Sequence, residues 1–166
     1  MTLRIACAGL TLLAAASGSA RADGCDALAA KLIRATGASF AGRSGPLVVF
    51  RAADAERMSL VCGPGEMLFR SRYRQPNRYY FVLIGLAARG LTGAVPEEAE
   101  TLALNLHQQT LLTGAPQQGR AGPAELRCEP GDRLDGLTNG TLCVLAPARA
   151  TVLRRRAGLP AGTRAG

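Results

Sequence analysis

The densest group of side chains able to do chemistry is Arg70, Arg72 and Arg74, with Arg78 close behind and Tyr73, Tyr79 and Tyr80 among them. On a strand, alternate residues share a face, so three guanidinium groups spaced by two would stand in a row at intervals of about 7 Å. Unopposed like charges repel. Such a row is easiest to understand with an anion or an acidic surface above it, because a guanidinium grips a carboxylate or phosphate through two parallel N–H donors. Arg70, Arg72, Arg74 and Arg78 are therefore the candidate anion-binding residues. The competing explanation is a solvated face neutralised by nearby Asp or Glu, in a chain whose one lysine, Lys31, stands against nineteen arginines.

Other residues offer less. Gly37, Ala38, Ser39, Phe40 and Ala41 approach a G-x-S-x-G nucleophile elbow but lack the last glycine. A helix precedes them and a strand follows, the reverse of the order an elbow needs. His107 is the only histidine, so any histidine triad must use it; it follows Leu106 in a helical pattern and reads as a surface helix residue. Glu97, Glu98 and Glu100 open a helix, where negative charge suits the dipole without any catalytic role. Gly63, Pro64 and Gly65 lack the Lys-Ser/Thr of a phosphate loop. Asn139, Gly140 and Thr141 match a glycosylation sequon, yet Asn-Gly is equally a turn dipeptide. No cofactor motif is found. The balance leans away from an enzyme.

The cysteines speak to compartment. The N-terminus carries Arg4, then an apolar or small-residue run over residues 5–16, then Ala20, Arg21 and Ala22 before Asp23. That is the layout of a cleavable secretory signal over residues 1–22, and the run is shorter than the roughly 17–25 residues a spanning helix needs. Cleavage would remove Cys7 and leave Cys25, Cys62, Cys128 and Cys143. An even number in an oxidising compartment predicts disulfides. No C-x-x-C occurs, which argues against zinc. The expected location is periplasmic or secreted, with no transmembrane segment in the mature chain.

The net charge of +8 is concentrated at the end. Residues 148–166 hold five arginines and no acid, so residues 23–147 are nearly neutral. The expected organisation is a signal at 1–22, one α+β domain at 23–147 and a disordered basic tail at 148–166. A basic stripe with aromatics would suit nucleic acid, but export makes that partner improbable.

Several elements must position these residues. Residues 25–36 place Cys25, Leu28, Ala29, Leu32 and Ile33 on one helical face, with Asp23 as the cap and Gly37 as the stop. Residues 38–45 read as a loop. Strands are expected at 47–51, 58–62 and 67–73, the last two alternating. This meander needs cover, and if the first helix supplies it, Cys25 and Cys62 meet. Asn77 caps a helix at 78–89 stopped by Gly90, although Tyr79 to Ile84 also suit a buried strand. A helix from Pro96 to Gly114 turns Ala99, Leu102, Ala103, Leu106 and Thr110 inward. Residues 115–123 read as a linker. Strands at 124–128 and 141–146 would pair antiparallel and bring Cys128 to Cys143.

The fold expected is thus a small single α+β domain: an N-terminal helix on an antiparallel meander, two further helices and a C-terminal disulfide-linked hairpin. The function expected is binding of an anionic lipid, an acidic glycan or an acidic protein surface, by a protein without a cofactor. Alternatives are a periplasmic hydrolase using carboxylates that the fold brings together, or a structural or assembly factor of the envelope.

Overall fold

The computed structural model describes residues 19–131 and 140–149. Three helices and seven strands follow in the order α1 (Ser19–Thr36), β1 (Ser39–Ser44), β2 (Leu47–Ala52), β3 (Ala55–Val61), β4 (Glu66–Ser71), α2 (Arg78–Thr92), α3 (Pro96–Thr113), β5 (Gln117–Ala121), β6 (Ala124–Gly131) and β7 (Gly140–Pro147). All seven strands form one antiparallel sheet in the order β1-β2-β3-β4-β7-β6-β5. The expected α+β class, N-terminal helix, meander, two further helices and disulfide-linked hairpin are all present.

Alternation sets the two faces of the sheet. Val48, Phe50, Met58, Leu60, Met67, Phe69, Leu126 and Leu145 are buried beneath the helices. Their strand neighbours, such as Arg57, Arg70 and Arg127, belong to the other face. In the middle, Phe69 lies opposite Met58 on one side and Cys143 on the other. Helix α2 is buried along most of its length and packs between α1 and α3. Its Tyr80 is wholly buried and donates its hydroxyl to the Phe69 carbonyl at 2.8 Å. Burial pushes that phenol far above its ordinary range, so it stays a neutral donor.

Two disulfides staple this arrangement. Cys25 of α1 is joined to Cys62 just beyond β3, and Cys128 to Cys143 across β6 and β7. Residues 128 and 143 sit directly opposite in the ladder. In the chain-entropy account, loops of these lengths contribute roughly 3–4 kcal/mol each.

Several boundaries differ from the sequence reading, each for a physical reason. Helix α1 runs over Ser19–Thr36, so Asp23 lies inside it and not at its start. Residues 39–44 are an edge strand and not a loop; their pairing with β2 shifts register between Phe40 and Gly42, which hides the alternation. Gly90 does not stop α2. It is buried inside the helix, where a Cβ would meet the Ala35 Cβ at 2.9 Å, and the stop is Gly93 at φ 81°. Asn77 caps the start as expected, accepting from the Tyr80 amide at 3.2 Å, which removes the strand alternative. The supposed linker contains β5, a polar edge strand opposite β6. Strand β4 ends at Ser71, two residues early.

The leader through residue 18, the Asn139 turn and all but the first two residues of the basic tail lie outside the described residues. Among the described residues, no helix is long and apolar enough to cross a membrane.

Candidate functional site

The connection from β4 to α2, residues 71–77, borders three cavities at one end of the sheet. Strand β4 delivers it beside β7, and the Asn77 cap turns it into α2. Between those points, Thr141 donates its hydroxyl to the carbonyls of Tyr73 at 3.0 Å and Arg74 at 3.3 Å. The Ser71 hydroxyl oxygen accepts from the Tyr73 amide at 3.2 Å. A segment without secondary structure is thus held at both ends and in the middle.

The largest of these three is an open groove of about 820 Å³ between this connection and the C-terminal half of α3. Tyr73, Arg74, Gln75, Gln108, Leu111 and Leu112 form it. Tyr73 is 64% exposed and Leu112 87%, large values for such side chains. Behind the groove, and sharing Arg74 and Leu111 with it, lies a smaller cavity of about 190 Å³. Its polar side chains include His107, Thr110 and Thr141. Thr110 donates its hydroxyl to the Cys128 carbonyl at 3.1 Å. Glu129 also borders this space, but its carboxylate is taken by Arg127 at 2.5 Å.

His107 corrects the sequence reading. It is buried, with 4% exposure, and tilts against Phe81 at 5.4 Å between ring centroids. Burial holds the imidazole below its ordinary pKa, so it is neutral near pH 7. Its Nδ1 is sealed from solvent without a hydrogen-bond partner. The ring nevertheless borders the small cavity. A signal was available in the sequence: His107 stands four residues after Ala103 and three before Thr110, the spacing of the inner stripe.

The four candidate arginines separate. Arg70 lies on β4 opposite Arg57 of β3 and Leu142 of β7, and it has an interaction partner. Arg72, beyond the strand, pairs with Glu56 at 3.7 Å, and Arg78 pairs with Glu100 at 3.4 Å. Strand β4 therefore does not carry the three in one row. Arg74 alone of the four has no ion pair or hydrogen-bonded side-chain partner among the described residues, and it stands where groove and inner cavity meet.

The third cavity, about 360 Å³, has Asp54 and Glu56 in its wall. A paired-carboxylate reaction needs one of them free to hold or release a proton, yet Arg72 sits with them and engages Glu56. One oxygen of Glu56, Oε2, is buried without a partner. Among the described residues, no group of three or more His, Cys, Asp or Glu is placed to hold a metal ion.

No known protein family, curated protein or solved structure matches this chain.

Proposed function

We propose that this is an exported, disulfide-stapled binding protein of the periplasm or extracellular space, and that it recognises an anionic component of the envelope at the groove beside residues 73–75. The observation that carries the reading is Arg74. A cation without a side-chain partner among the described residues lines two neighbouring cavities at once. A concave site with apolar walls and a few convergent polar groups is the usual form of a ligand site, and a guanidinium is suited to carboxylate or phosphate. The two disulfides support an oxidising compartment.

The test compares wild type with Arg74→Ser on phosphatidylglycerol vesicles, polygalacturonate resin and poly-glutamate resin, each against a neutral counterpart. The expected result is retention of wild type on at least one anionic support and a loss of about tenfold in affinity for the variant, as for removal of one charge-assisted contact. Equal retention of the two proteins on every support ends the reading.

A further inference from the structure

We infer that the anion is an acidic glycan, and that the inner cavity seats a single uronate ring against His107. This rests on the proposed function above and narrows it to one ligand class.

Three features favour a sugar acid. The first is size. The inner cavity holds about 190 Å³, equivalent to about six waters at their liquid volume. That is room for one small ring with its substituents, and too little for a helix or sheet of an acidic protein, whose stable interfaces bury about 800 Å² on each partner.

The second is the balance of donors and acceptors. Thr110 and Thr141 give their hydroxyl protons to backbone carbonyls, so towards a ligand each oxygen can only accept. The neutral His107 can donate from Nε2 while Nδ1 stays sealed, and Arg74 can only donate. The phosphate of a diester headgroup offers acceptors alone, and inorganic phosphate near neutral pH keeps few hydroxyls, all on one phosphorus, so either leaves threonine oxygens unmatched. A ring bearing a carboxylate and hydroxyls satisfies both kinds: the carboxylate takes Arg74, and hydroxyls meet the threonines and the imidazole.

The third is the outer groove. Its walls carry one cation, two neutral amides at Gln75 and Gln108, and the exposed Tyr73 ring. Amides both give and accept hydrogen bonds, and an exposed aromatic ring offers an apolar face with a polar tip. Neighbouring sugars of a sparsely charged chain fit such a surface. Acyl chains following a lipid headgroup would find only Leu111 and Leu112.

His107 is the only histidine, so its imidazole gives one unambiguous NMR signal set. Wild type is titrated with galacturonate, tri-galacturonate, inorganic phosphate and phosphatidylglycerol vesicles. Both uronates are expected to move the imidazole signals saturably, and phosphate far less. His107→Phe is expected to weaken tri-galacturonate about tenfold, the effect of one lost hydrogen bond. Retention on vesicles or poly-glutamate that depends on Arg74, with no uronate effect at His107, overturns the glycan assignment and spares the anion-binding function. Phosphate acting as strongly as galacturonate overturns it too. Unchanged tri-galacturonate affinity in His107→Phe, with loss in Arg74→Ser, removes the inner cavity from the site. No anion dependence anywhere removes both proposals. Because the wild-type titration reads the imidazole directly, it decides the matter even if a variant misfolds.

Discussion

The Thr141 hydroxyl, on the inner strand β7, donates to the Tyr73 carbonyl 3.0 Å away and ties together residues 68 positions apart. Tyr73 and Arg74 owe their position to this contact and not to strand pairing, since β4 has already ended at Ser71. Thr141→Val keeps the shape and removes the donor. The expected loss is about 1 kcal/mol, from one part-buried hydrogen bond shared by two carbonyls. Urea unfolding measures it. Anion binding should weaken in the same variant although Arg74 is intact, and an unaltered affinity would show that the connection holds its position without the tie.

Helices α2 and α3 come close at Gly85. A Cβ there would lie 2.5 Å from the Pro96 carbonyl oxygen, a backbone atom that cannot swing aside. Alanine would gain about 1 kcal/mol of helix propensity, but overpacking costs typically 1–3 kcal/mol. Gly85→Ala is therefore expected to destabilise the protein on balance and to lower its thermal midpoint. A raised midpoint would mean the two helices separate more easily than this contact implies.

His107 gives stability a dependence on pH whose sign follows from its burial. Its folded pKa lies below the ordinary value of 6.5. The unfolded chain therefore takes up its proton at a higher pH than the folded one. Stability from this residue is complete above about pH 6.5 and falls as the pH drops from there towards the folded pKa. His107→Phe should have a shallower decline in urea midpoint than wild type between about pH 7 and pH 5. Parallel curves for the two proteins would show that the carboxylates account for the whole slope.

Much of the fold is legible in the sequence because its central elements obey simple periodicities. Met58 and Leu60, then Met67 and Phe69, alternate and are buried. Asn77 and Gly114 mark helix ends that the structure keeps. The Cys25 stripe on α1 and the expected hairpin bring both cysteine pairs together. The edges are harder to read. Residues 117–121, Gln, Gln, Gly, Arg and Ala, lack a two-sided apolar pattern, because an edge strand is half solvated and its pairing comes from β6. Gly90 shows the converse limit: glycine as a helix stop and glycine as a close helix contact look alike until the Ala35 and Leu32 neighbours are known.

The candidate site was half legible. The cluster of arginines points to the stretch of chain that borders the three cavities, but its expected row requires β4 to run on past Ser71. The acids that neutralise Arg72 and Arg78, Glu56 and Glu100, come from other elements, so spacing along the chain does not reveal them. The same holds for the cavity behind Arg74. It is assembled from α3, β6, β7 and the connection, and no local pattern announces that meeting.

The pairing of β4 with β7 has a consequence for the order in which the molecule can be made. Residues 66–71 leave the ribosome long before residues 141–145, which are their partners. Until then β4 is an open margin, and the nascent chain has no finished middle to its sheet. Strands β5 and β6 emerge earlier than β7 yet reach the rest of the sheet only through it. A chain stopped short of residue 140 would therefore retain two separate fragments of sheet, each showing an unpaired inner margin to any other strand it met.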